Sequence, residues 1–115
     1  MALLSEDFRA RLEENGRRQR AVKETESKMD FAPLARLYTP LADSIWLLTE
    51  IDPKDPDRAF GLHHDPGNGH AELGYVSLLE LERRFAQASV RWDKDFHANA
   101  PLSVYARKAS AVGKR

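Results

Sequence analysis

The sequence predicts an α+β fold, in which an antiparallel sheet of about five strands carries N-terminal, central and C-terminal helices packed on it. Short apolar runs with alternating side chains are separated by turn segments such as DPKDPD and DPGNG, and other apolar residues recur at helical spacing. A chain of 115 residues has room for one hydrophobic core. We therefore expect one domain over residues 1–115, with a polar helical N-terminal segment over 1–30 and the sheet core over 31–115.

The first element is a helix that Ser5 can cap, and the Asn15-Gly16 pair is a plausible helix stop. The segment that follows, RRQRAVKETESK over residues 17–28, is almost wholly polar. It is typical of a solvated helix extension or a mobile linker.

Five strands are predicted, over residues 34–39, 45–51, 58–64, 70–76 and 90–96. The second strand is apolar on both faces at its start, as in the centre of a sheet. Strict alternation places Leu47 and Ile51 on one side of this strand and Trp46 and Glu50 on the other. Glu50 is then expected at the end of the strand.

The central helix begins at a capping box, Ser77-Leu78-Leu79-Glu80. In this motif the Ser77 hydroxyl accepts a hydrogen bond from the Glu80 amide, and the Glu80 carboxylate reaches back to the start of the helix. The last helix is predicted to begin at Pro101 and to end at Gly113.

Composition excludes several classes of function. The chain has 18 Lys and Arg against 18 Asp and Glu, so no long-range field attracts nucleic acid or anionic lipid, and a protein partner is favoured. Nucleic-acid binding would need a local patch, such as Arg17, Arg18, Arg20 and Lys23. The absence of cysteine excludes disulfides, cysteine-ligated zinc and thiol catalysis. No signal peptide or membrane span is evident, so we expect a cytoplasmic protein without membrane contact.

A succession of segments carries a family resemblance: LLSEDFRARLEENGR, LYTP, WLLTEIDPKDPDRAFGL and ELGYVSLLELE, then a strand with Asp93 and Phe96, then PLSVYA. Over nearly the whole chain the sequence resembles the bacterial family DUF2958. Members look like cargo of plasmids, phages and integrative elements, and some carry the product name single-stranded DNA endonuclease. The resemblance implies an accessory or binding protein of mobile genetic elements without a cofactor. An anti-defence role, in which the protein binds a host complex, is a hypothesis that this context suggests.

An alternative interpretation is a divalent-metal endonuclease that acts on single-stranded DNA. The resemblance maps Glu50, Asp52, Glu72 and Asp93 onto positions that are also acidic in the family. Carboxylates of this kind hold Mg²⁺ or Mn²⁺ through oxygen, and the metal then activates water and shields phosphate charge. The competing interpretation is structural: Glu50 and Glu72 pair across the sheet with arginines, of which Arg36, Arg58 and Arg91 are available.

The histidines offer a weaker metal set. His63, His64, His70 and Glu72 are zinc-ligand types, but alternation along a strand sends His63 and His64 to opposite faces. His63 and His64 also depart from the residues usual in the family, which argues against a histidine-centred site.

Three aromatic residues are the candidate binding residues: Trp46, Tyr75 and Trp92. Emerging on an open face, such side chains stack on single-stranded nucleic acid or anchor a protein interface. The alternative for aromatic residues at strand positions is core packing. The neutral net charge favours the protein interface.

Overall fold

The computed structural model describes residues 3–23, 28–87 and 89–110. Its elements in chain order are α1 (Glu6–Lys23), β1 (Ala35–Tyr38), β2 (Ile45–Ile51), β3 (Arg58–Asp65), a 3₁₀ turn (Pro66–Asn68), β4 (His70–Ser77), α2 (Leu78–Ala86), β5 (Arg91–Trp92) and α3 (Leu102–Lys108). The strands form one antiparallel sheet in the order β4-β3-β2-β1-β5. The predicted α+β fold is confirmed.

Each face of the sheet has its own core. On one face, which we call the helix-pair face, Leu12 of α1 and Leu81 of α2 belong to one buried cluster with Leu37 and Leu48 of the sheet. On the other, the α3 face, the buried cluster is formed by Leu47, Phe60, Leu62, Leu102 and Ala106. Burial on both faces explains why the central strands are apolar on both sides.

Helix α1 does not stop at the Asn15-Gly16 pair, so that prediction is wrong. The helix continues to Lys23 and packs across β2. A Cβ atom on Gly16 would lie 1.7 Å from the main-chain oxygen of Ile51, so only glycine permits this approach. Beside it, the Asn15 side-chain amide donates to the Thr49 carbonyl over 3.0 Å. The pair therefore marks the crossing of α1 over β2.

A β-bulge at Thr49 overturns the predicted alternation along β2. The register against β3 shifts between Leu48 and Glu50, which places Glu50 opposite Phe60. Because Phe60 belongs to the α3-face cluster, Glu50 lies on that face. Ile51, which we expected on the same side as Leu47, packs instead in the helix-pair cluster.

The predicted cap of α2 is confirmed in part. The Ser77 hydroxyl accepts from the Glu80 amide over 3.2 Å, but the Glu80 carboxylate contacts Arg83. Asp57 supplies the second half of the cap, since its carboxylate accepts from the Leu79 amide and from the Ser77 hydroxyl, both over 2.7 Å. These hydrogen bonds hold the pKa of Asp57 below its ordinary value.

Helix α3 begins one residue after Pro101, and its predicted end at Gly113 lies outside the described residues. Asp30, which precedes β1 in the chain, accepts from the Ser103 amide over 3.1 Å and also from the Ser103 hydroxyl. A carboxylate from a distant segment thus caps this helix. In the part of the chain that the structure describes, no helix is long and apolar enough to cross a membrane.

Strand β5 is much shorter than the predicted 90–96. After Trp92 the Asp93 carboxylate accepts from the Asp95 amide over 3.1 Å, and the Phe96 amide donates to the Asp93 carbonyl over 3.3 Å. This local turn chemistry ends the strand. The sheet therefore has a two-residue edge at β5 and an eight-residue edge at β4.

Candidate binding groove

The four predicted carboxylates do not converge. Glu50 lies on the α3 face opposite Phe60, whereas Glu72 pairs with His63, three positions along β3 and on the other face. Asp93 follows β5, at the opposite side of the sheet from β4. Within the described ranges, no group of three or more His, Asp or Glu side chains is arranged to hold a metal ion.

Two of the four carboxylates do share a cavity. Glu50 is only 3% exposed, and its carboxylate accepts from Gln19 over 3.5 Å and from the Thr49 hydroxyl over 3.2 Å. Asp52 lines the same cavity of about 80 Å³, beside Tyr75. Gln19 and Thr49 thus supply hydrogen bonds that a buried carboxylate needs.

Two of the three arginines expected to pair with Glu50 and Glu72 have other partners. Arg36 pairs with Asp93 over 3.3 Å, and Arg58 approaches Asp52 at 3.9 Å. Two of the predicted metal ligands therefore act in ion pairs in this structure. Both pairs are partly exposed, so each stabilises the fold only modestly.

The histidines separate as alternation predicts. His63 stacks parallel to Trp46 with ring centres 4.8 Å apart, and His70 meets His63 edge-on at 5.5 Å. His70 approaches the Glu72 carboxylate at 3.6 Å, whereas His64 lies on the α3 face. Burial, and then the neighbouring His70, hold the pKa of His63 below its ordinary value. His63 is therefore neutral at pH 7.

The three predicted binding aromatics occupy three different environments. Trp46 is 4% exposed, between the Arg84 guanidinium and the His63 ring, and acts as a core residue. Tyr75 is 47% exposed on β4, with the Arg58 guanidinium 4.2 Å from its ring centre. Trp92 is half-buried and lines a large groove.

This groove, which we call the β5 groove, has a volume of about 730 Å³. It lies between the start of α1, the end of α2, the edge strand β5 and its neighbour β1. Its floor is apolar and consists of Leu3, Leu4, Phe85 and Val90. Apolar clefts of this size are the usual form of binding sites in proteins.

The chain holds the floor of the groove in place at the start of α1. As predicted, Ser5 caps the helix, since its hydroxyl accepts from the Phe8 amide over 3.2 Å. The preceding amide of Leu3 donates to the Glu82 carboxylate of α2 over 3.4 Å. Leu3 and Leu4 are consequently buried although they precede the first helix.

Trp92 and Tyr38 are the aromatic residues among those that line the groove. The Trp92 ring meets the edge of Phe8 at 4.9 Å and lies under the Lys94 ammonium at 5.7 Å. The Tyr38 ring lies under the Arg36 guanidinium at 5.2 Å. Both rings therefore already have contacts within the fold.

The charged residues of the groove are unevenly placed. Arg91 and Lys94 lie on the β5 side, both are exposed, and neither has a carboxylate partner within the described part of the chain. Glu6, on the side of α1, is the acidic residue that lines the groove.

Sequence reasoning missed several groove residues. Leu3 and Leu4 carried a usable signal, since apolar residues directly before a helix cap often pack against neighbouring elements. The sequence predicts Lys94 inside the fifth strand. In the structure the turn at Asp93 ends the strand, and the Lys94 ammonium lies over the Trp92 ring. The Asp-Lys-Asp sequence was the signal for that turn.

A family model described as "Protein of unknown function (DUF2958)" matches residues 3–114. No curated protein and no solved structure matches the chain. The groove and its surroundings lie almost entirely within the matched range.

Proposed function

The chain belongs to the DUF2958 family, and from this premise we propose that it is a binding protein that holds a segment of a partner protein in the β5 groove. One observation carries the proposal: an apolar groove of about 730 Å³ is lined by two aromatic residues, Trp92 and Tyr38, whose rings already contact Phe8 and Arg36.

The chemistry of the groove fits a protein ligand. Protein interfaces are enriched in Trp, Tyr and Arg, and a few such residues supply most of the binding energy. Trp92, Tyr38 and Arg91 are residues of these types around one apolar floor. The zero net charge of the chain adds no general attraction for nucleic acid.

The rigidity of the groove also supports the proposal. Phe8 fixes the Trp92 ring, and the Asp93–Arg36 ion pair keeps the guanidinium over Tyr38. Side chains that are already ordered lose little conformational entropy when a partner binds. A partner segment therefore meets a surface that needs little rearrangement.

The identity of the partner is a further part of the proposal. The resemblance to proteins of plasmids, phages and integrative elements favours a host protein, and an anti-defence role would make it a restriction or CRISPR complex.

The metal-dependent endonuclease stays a prediction, without support from the positions of Glu72 and Asp93. Incubation with labelled single-stranded DNA and Mn²⁺, with a chelator control, tests it directly.

Selection from a displayed library of random peptides tests the binding function. The wild-type protein is the target, and peptides that also bind the Trp92→Ala variant are removed, so that only groove-dependent sequences remain. We expect enrichment of a family of related peptides. Tyr75→Ala is the matched control, because Tyr75 is an exposed aromatic outside the groove.

Circular dichroism must first show that both variants fold. The recovered peptides should bind the Tyr75→Ala variant as they bind the wild-type protein. If selection yields no peptide whose binding depends on Trp92, the groove is not a protein-binding site.

A further inference from the structure

We infer that the partner segment is extended and carries an acidic side chain, which contacts Arg91 and Lys94 while neighbouring apolar side chains occupy the floor of the β5 groove. This inference rests on the proposed function and specifies the chemistry of the partner. Charge and main-chain geometry support it independently.

Two exposed cations, Arg91 and Lys94, lie on the β5 side of the groove. The exposed Asp95 follows Lys94 in sequence but is not among the residues that line the groove. Asp93, between them in sequence, pairs with Arg36, and Glu6 lies on the side of α1. Among the residues that line the β5 side of the groove, an incoming carboxylate therefore meets two cations and no acidic group.

Main-chain geometry at the outer edge of β5 also supports the inference. The Asp93 amide donates to the Arg36 carbonyl of β1 over 2.9 Å. In an antiparallel ladder, successive residues direct their amide and carbonyl groups to opposite sides, so those of Trp92 point away from β1. Because β5 is the last strand of the sheet, an extended segment can add alongside it.

Together these features define a pattern for the ligand. Side chains of an extended segment alternate between two faces, so apolar residues that enter the groove alternate with residues that point toward its rim. An Asp or Glu at a rim position faces the two cations. The phosphates of single-stranded DNA are attracted by the same cations, but the apolar lining of the groove favours an apolar peptide.

Three synthetic peptide pools test the inference. The pools share randomised apolar residues at alternate positions and differ in the intervening residues, which are Glu, Gln or Lys. Binding to the full chain is measured by fluorescence polarisation, with fluorescein-labelled oligo-dT as a fourth probe. We expect the Glu pool to bind about fivefold to tenfold more tightly than the Gln pool, and the Lys pool to bind most weakly.

The variant Arg91→Glu/Lys94→Glu should reverse this order. The matched control is Arg107→Glu/Lys108→Glu, which makes the same charge change on the exposed end of α3, on the other face of the sheet. The control should keep the preference for the Glu pool. A reversal in the control as well would overturn the assignment to β5.

The outcomes separate the two proposals. If all three pools bind equally and Trp92→Ala abolishes binding, the groove binds proteins but the acidic preference is wrong. If no pool binds in a Trp92-dependent way, the proposed function and this inference both fail. If oligo-dT binds more tightly than the Glu pool and requires Arg91 and Lys94, the groove is a nucleic-acid site.

Discussion

Replacement of Gly16 by alanine should destabilise this protein, although the same change in most helices is favourable. Gly16 lies inside α1, and alanine there ordinarily stabilises a helix by roughly 1 kcal/mol. Here the added Cβ would lie 1.7 Å from the Ile51 oxygen and 2.9 Å from its carbonyl carbon. Both contacts are with main-chain atoms of β2, which cannot rotate away as a side chain can.

The magnitude follows from the displacement that the new methyl group requires. A carbon–oxygen contact ordinarily needs about 3.3 Å, so α1 must move away from β2 by about 1.6 Å at this point. Overpacking of this kind costs up to roughly 3 kcal/mol. Loss of the adjacent Asn15–Thr49 hydrogen bond adds about 1 kcal/mol, which the helix propensity of alanine offsets. The expected net loss is about 3 kcal/mol.

Urea denaturation measures this loss. With a slope of roughly 1.5 kcal/mol per M, the midpoint should fall by on the order of 2 M. Gly74→Ala is the matched control, because a Cβ on Gly74 of β4 meets nothing within 4 Å. That variant should be as stable as the wild-type protein, or more stable by up to about 1 kcal/mol. If Gly16→Ala is equally well tolerated, α1 does not cross β2 at this close distance.

Three further predictions concern charged groups. Asp57→Asn should cost about 1 kcal/mol at pH 7. The lowered pKa of Asp57 gives stability that is lost as pH falls through it, so the urea midpoints of variant and wild type should approach each other as pH falls below about 4. A gap that does not narrow contradicts the role of the charge. The lowered pKa of His63 means that the stability of the protein falls as pH drops below about 6.5. In a Trp92→Phe background, the fluorescence of Trp46 should therefore change with pH below that value. The additional change His63→Gln should remove this pH dependence. Asp30→Ala should speed hydrogen exchange in α3 more than in α2, and equal protection of α3 in both proteins would show that this cap is unimportant.

The order and type of the elements could be predicted from the sequence because they depend on local chemistry. Alternation, turn residues and the Ser77 cap are all carried by neighbours in the chain. The extent of α1 could not be predicted, because an Asn-Gly pair such as Asn15-Gly16 is found both where a helix ends and where a helix crosses a strand closely. The contact that distinguishes the two cases is made by Ile51 of β2, which lies 35 residues after Gly16 in the chain.

The site was less predictable for a related reason. Residue type identified Trp92 and Trp46 equally as binding candidates. Only the packing of Arg84 and His63 on Trp46 shows that it is a core residue. The carboxylate cluster does not form because a bulge places Glu50 on the α3 face, whereas Glu72 lies on the other face and Asp93 follows β5 at the far side of the sheet. Such a bulge leaves no clear mark in the composition of a strand.

The bulge at Thr49 also protects the fold against misalignment. A sheet of regular strands can slip by one residue, which exchanges its two sides. If β2 lost the extra residue, Glu50 would turn toward the leucines of the helix-pair face. A charged group among apolar side chains is costly, so the slipped arrangement is disfavoured. An irregularity that looks like a flaw in the strand thus allows only one alignment of β2 with β3.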